Sequence, residues 1–154
     1  KRVFVLGCIL RRIGNFDMTS FDGRLTLQKT VYLMQALGLF LGYHFHWYLR
    51  GPYSPDLTRD GFALEGMSDK LPKAQFRDYE NELKFKVFLR FVSKYKRNPI
   101  MLETLASIHF LVVVYSSQEK TYVFNEVMRK NASITLDDCE EVWKHLRQHG
   151  LIGG

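Results

Sequence analysis

Cysteine is nearly missing from this chain of 154 residues, with Cys8 and Cys139 as its two thiols. That excludes a disulfide-dense scaffold and a four-cysteine zinc site. Proline occurs only four times, and no Pro-, Gly- or Ser-rich linker and no internal repeat divides the sequence. A glycine-rich phosphate loop is absent, as is any Ser/His/Asp signature. Charge is absent from Thr30 to Leu49, a stretch as long as a membrane span. Gln35, His44 and His46 interrupt it, however, and its period changes from helical before Gly38 to alternating after Gly42. A buried helix, a turn and a strand are therefore expected there rather than a span. No leader pattern of basic residues, apolar run and cleavage site opens the chain, so a cytoplasmic, soluble protein is expected.

What is present defines a globular domain. Hydrophobic residues make up 46% of the sequence and aromatic ones 14%, enough to close a core over residues 1–154 as a single domain. The fold class expected is mainly α with a small β element and a winged-helix-like C-terminal part. Apolar residues at 3, 6, 10 and 13 predict a helix from Val3 to Ile13, ending at Gly14-Asn15. Asn15 to Gly23 reads as a polar loop. Leu25 to Leu37 is an amphipathic helix with Leu27, Val31, Leu33, Met34 and Leu37 on one face, and Gln28, Tyr32 and Gln35 on a separate stripe beside Lys29. Tyr43, Phe45, Trp47 and Leu49 alternate as one side of a strand.

Ser54, Pro55 and Asp56 have the chemistry of an N-cap, a first helical residue and an anion at the positive end of a helix, predicting a short helix to about Leu64. A loop from Gly66 to about Phe76 and a basic amphipathic helix to Arg97 come next. Ile100 to Tyr115 is apolar almost all round and should be the central core helix. Two last helices, about 118–130 and 136–149, resemble a helix-turn-helix pair within 118–152. Leu136, Cys139, Val142, Trp143 and Leu146 form the buried stripe of its second member, and Leu151-Ile152 stands where a wing strand would begin.

Three constellations suggest chemistry. Six cations fall within residues 84–97 with no acid among them. On a helix, Lys86, Arg90, Lys94 and Arg97 share an arc of about 80°, a ridge able to track phosphates, or equally a solvated face. The helix placed like a DNA reader instead begins with Asp137, Asp138, Glu140 and Glu141, and residues 101–154 carry a net −2. That end suits a basic protein better than a polyanion. Pro55-Asp56 with Glu82-Leu83-Lys84 fits the loose Pro-Asp…Glu-x-Lys pattern of metal-dependent nucleases, in which Asp56 and Glu82 would hold the ion and Lys84 would assist water. His145 and His149 have a zinc-compatible spacing without a third ligand, and His109 stands alone in an apolar helix as a core residue would. No cofactor and no resident metal are expected.

Leu27-Gln28-Lys29-Thr30-Val31-Tyr32-Leu33, followed by Gly51-Pro52-Tyr53-Ser54-Pro55-Asp56-Leu57, resembles the YwgA-like family of prokaryotic proteins. The same pairing is similar to Panacea (SocA-like) domains. That resemblance implies an antitoxin- or adaptor-like role and brings no catalytic residues with it. The residues themselves suggest that this helix and turn pack together and border a groove rimmed by Lys29, Arg50 and Tyr53, with Tyr32 and Ser54 nearby. The competing reading is that Gln28 and Tyr32 merely satisfy the turn's backbone. A non-enzymatic module binding a protein partner is the function expected, ahead of a DNA-binding regulator and a nuclease.

Overall fold

A computed structural model describes residues 2–14, 16–65, 67, 70–117 and 119–153. Asn15, Gly66 and Gln118, which the sequence pattern put at element boundaries, lie outside the described residues. The described residues form a mainly helical compact domain of seven α-helices and one two-stranded antiparallel hairpin. The helices are α1 (Arg2–Ile13), α2 (Phe21–Ala36), α3 (Pro55–Ala63), α4 (Tyr79–Val92), α5 (Pro99–His109), α6 (Lys120–Lys130) and α7 (Leu136–Gln148). Strands β1 (His46–Tyr48) and β2 (Gly51–Tyr53) pair with Trp47 opposite Pro52. None of the described helices is long and apolar enough to cross a membrane.

The helices start where their capping chemistry dictates. Ser20, Ser54, Asp78, Asn98 and Thr135 each accept a backbone N–H in the first turn. Thr135 and Asp138 close a reciprocal capping box. Helix α2 begins at Phe21, earlier than the polar pattern of 15–23 implies, because the Ser20 hydroxyl accepts from Gly23 N at 2.9 Å. Gly23 itself must be glycine, since a Cβ there would collide with the Asp17 carbonyl.

Two helices share the centre. α5 is buried from Met101 through His109, as its composition requires, and α2 is buried continuously from Leu27 to Met34. They pack against each other, with α7 and α6 on the far side of α5 and α3 against α2. One cluster joins α1, through Ile9 and Ile13, with α2, α4, α5, α6 and α7; a smaller one, around Leu6, Leu27, Val31, Tyr43 and Leu57, joins α1, α2 and α3. His109 is buried and satisfied by the Tyr32 hydroxyl at 2.7 Å from Nδ1. Burial alone pushes its imidazole down to about 4.

Several expectations need correcting. The apolar run 100–115 does not continue as an α-helix: after His109 it widens into a π-helical turn, Phe110–Val114, which leaves Val113, Val114 and Tyr115 exposed. The strand is shorter than its alternation, and Leu49 lies at the hairpin tip, 67% exposed, while Tyr43, Phe45 and Trp47 do turn inward. Leu136 is exposed rather than part of the stripe of α7, because it occupies the first helical turn, outside the packed face of Cys139, Val142 and Leu146. Leu151-Ile152 is a bend, not a strand; Leu151 N closes α7 onto Leu146 O at 2.9 Å and Ile152 enters the core.

Candidate functional site

The hairpin is too short to hold itself, with three residues in each strand. Side chains of α2 fix it through the main chain. Gln28 grips both polar groups of Ser54: its Nε2 donates to Ser54 O and its Oε1 accepts from Ser54 N, each at 2.8 Å. Lys29 Nζ donates to Pro52 O at 2.6 Å. About two turns on, Gln35 accepts from Leu41 N and Tyr43 N and donates to Tyr43 O, pinning the approach to β1. Helix and turn therefore pack as one unit. Gln28→Ala would strand a buried N–H and C=O, so a loss of about 2–4 kcal/mol in unfolding free energy is expected in urea titration.

Below the hairpin lies a charged layer. Glu103, fully buried on α5, accepts from Arg50 through both oxygens at 3.0 and 3.1 Å and from Asn131 Nδ2 at 3.1 Å. Lys29 sits beside this pair. Burial lowers its ammonium to about 7, Glu103 opposing that fall and Arg50 adding to it. Gly51, at φ +96°, lets the turn lie directly on the Ser107 hydroxyl, which has no hydrogen-bond partner among the described residues.

Above this layer opens a cleft of about 580 Å³, within the range of small-ligand sites. α2 contributes Phe21, Arg24, Leu25, Gln28 and Lys29; the hairpin contributes Tyr48, Leu49, Arg50, Gly51 and Tyr53; α3 contributes Thr58 and Phe62; Lys130 reaches in from the end of α6. Among the described residues, four cations and no carboxylate line it. Phe21, Tyr48, Leu49 and Phe62 are large apolar side chains left at least 45% exposed around it. The Arg50 guanidinium lies 5.1 Å from the Phe21 ring centre, and the Tyr48 and Tyr53 rings are 5.4 Å apart.

The expected groove residues divide accordingly. Lys29, Arg50 and Tyr53 do meet at one cleft, but Lys29 is 1% exposed and forms its floor, not its rim. Tyr32 and Ser54 are not in the lining: Tyr32 is bonded to His109 in the core, and Ser54 is the buried N-cap of α3. Phe21, Phe62 and Lys130 were not singled out by sequence pattern, and Leu49 was read as part of a strand face rather than of the groove. The signal available was modest: Phe62 stands on α3 between the buried positions Gly61 and Leu64 and is itself exposed.

The basic ridge is broken. α4 ends at Val92, and turns carry residues 93–97, so Lys94 and Arg97 do not continue the helical face of Lys86 and Arg90. Lys94 pairs with Glu141 at 3.4 Å, and Lys96 and Arg97 border a depression whose lining includes Asp17 and Asp22. Lys86 and Arg90 remain exposed. Glu82 is occupied by a bidentate Arg12 at 2.7 and 2.6 Å and by Phe76 N, which hold its carboxyl at about 2. Asp56 pairs instead with Arg2 and Arg59. Among the described residues no three His, Cys, Asp or Glu side chains gather as metal ligands. His145 Nε2 lies 2.9 Å from Phe91 O and His149 Nδ1 2.9 Å from His145 O, which occupies a nitrogen of each. Cys139 is core, and burial pushes its thiol up to about 11.

Comparison with family models, with curated proteins and with solved structures finds no match to this chain.

Proposed function

We propose that this chain is a non-enzymatic interaction module that binds a segment of a protein partner in the cleft between α2, the hairpin and α3. One observation carries the reading: a single concavity combines four exposed apolar side chains with a cationic lining that, among the described residues, holds no carboxylate. Exposed apolar surface gathered around a depression is costly to leave bare and marks interaction sites. The antitoxin- or adaptor-like role suggested by the Leu27–Leu33 and Gly51–Leu57 segments fits this reading. A helix-turn-helix-like comparison for α6 and α7, without a wing strand among the described residues, belongs to the same proposal, supported by the capping box and buried stripe of α7.

Random peptides displayed on phage test it. Enriched sequences should bind the full chain, and Leu49→Asp and Phe62→Asp should each weaken them by about tenfold or more, since both positions are exposed and outside the core. Binding indifferent to both substitutions overturns the assignment. A nucleic-acid reading keeps Lys86 and Arg90 as exposed cations on α4. A salt titration of a mobility shift separates the two, because the protein-binding reading requires no retarded duplex at moderate salt.

A further inference from the structure

We propose that the occupant of the cleft is the free C-terminus of the partner, its carboxylate on the cationic floor and its last side chain against the aromatic wall. This rests on the interaction-module reading and narrows it to a chemical class.

The floor has donors to spare. Lys29 is buried and lines the cleft, yet Pro52 O is the one acceptor its ammonium meets among the described residues. A primary ammonium carries three N–H donors. Arg50 spends Nε and one terminal nitrogen on Glu103, and among the described ion pairs it is the lining cation that a buried acid holds. Lys130 lies 5.5 Å from the Trp47 ring centre and faces no carboxylate among the described ion pairs. An anion entering here meets the Lys29 ammonium, fixed and already stripped of water, where charge-assisted bonds are strongest.

The wall sets the second requirement. Leu49 and Phe62 flank the same space and remain exposed without an occupant. A ligand must therefore bring an anion and an apolar group a few ångströms apart. An internal Asp or Glu spends its side chain on the charge, and in an extended segment its neighbours point to the opposite face. A terminal residue carries both groups on one Cα, the α-carboxylate and the side chain. A duplex phosphate supplies the charge while its bases stay stacked inside the helix and leave Leu49 uncovered. Capture of a terminal carboxylate is an established mode of peptide recognition, and a cleft of about 580 Å³ suits the end of a chain rather than a long groove.

The test uses the full chain and two peptide libraries, one displayed with free C-termini and one displayed internally. The first should enrich sequences ending in a large apolar residue. An enriched peptide, synthesised as the acid and as the C-terminal amide, is then titrated by fluorescence anisotropy; amidation should weaken binding about tenfold or more. Lys130→Gln, at a half-buried position that forms no ion pair among the described residues, should weaken the acid and leave the amide unchanged, while Lys86→Gln on α4 should alter neither. Equal affinity for acid and amide overturns the terminal-carboxylate assignment while the interaction-module reading stands. Enrichment from neither library overturns both.

Discussion

Glu103→Ala is expected to be the most damaging single substitution in this domain, lowering the unfolding free energy by about 3–5 kcal/mol. The carboxylate is fully buried, and its loss strips Arg50 of a bidentate partner and Asn131 of an acceptor. Lys29, already depressed to about 7 by burial, loses the one acid that raises it. Its folded-state pKa must then fall further. Because the native state of the variant no longer binds this proton near neutrality, the deficit should be larger at pH 6 than at pH 8.5. Glu103→Gln keeps the shape and one acceptor, so its own deficit relative to the unsubstituted chain isolates the charge, and the further loss in Glu103→Ala reports shape and hydrogen bonding. Urea titrations at the two pH values read both effects. A pH-independent deficit would remove Glu103 from any electrostatic role toward Lys29.

Acid should unfold the protein in two overlapping steps. His109 has a folded pKa of about 4 against an ordinary value of 6.5, because burial disfavours the imidazolium. Between those values the unfolded chain binds more protons, so stability falls as pH drops from about 6.5 to about 4 and levels below that. A difference of this size corresponds to about 3 kcal/mol. Glu82 adds a second loss lower down. Hydrogen bonds from Arg12 hold its carboxyl at about 2, below an ordinary 4.5, so its contribution is complete above 4.5 and disappears as pH falls toward 2. His109→Gln, which can still meet the Tyr32 hydroxyl, should flatten the upper step and leave the lower one. Unfolding midpoints from pH 7.5 to pH 3 test this, and an unaltered upper slope in that variant refutes it.

The elements were legible because their ends are written locally. Ser54-Pro55-Asp56, Asn98-Pro99 and the Thr135–Asp138 box each act within four residues, and the structure uses all three as helix starts. The lone His109 was legible as a core residue for the same reason, since an apolar helix leaves it no solvent. The π-helical turn was not, because Phe110 to Val114 is apolar in either geometry and only its surroundings decide where the backbone widens. The basic ridge failed for a related reason: periodicity ran through Ser93-Lys94, but α4 stops at Val92 and the chain turns toward Asn98. The cleft was half visible. Lys29, Arg50 and Tyr53 come from neighbouring segments whose pairing the sequence suggests, whereas Lys130 arrives from a helix far along the chain.

The grip of α2 on the hairpin has a consequence for how this domain can vary. Gln28 and Lys29 hold amide and carbonyl groups of residues 52 and 54, atoms that every sequence there supplies except the amide of a proline. The tip that carries Tyr48 and Leu49 bears none of that load through its side chains. The apolar rim of the cleft and the scaffold can thus vary separately: the fingertips can be exchanged while the wrist, Lys29 of the cleft floor included, stays clamped. A lineage of such domains could change what it recognises one exposed residue at a time, each step nearly neutral for folding.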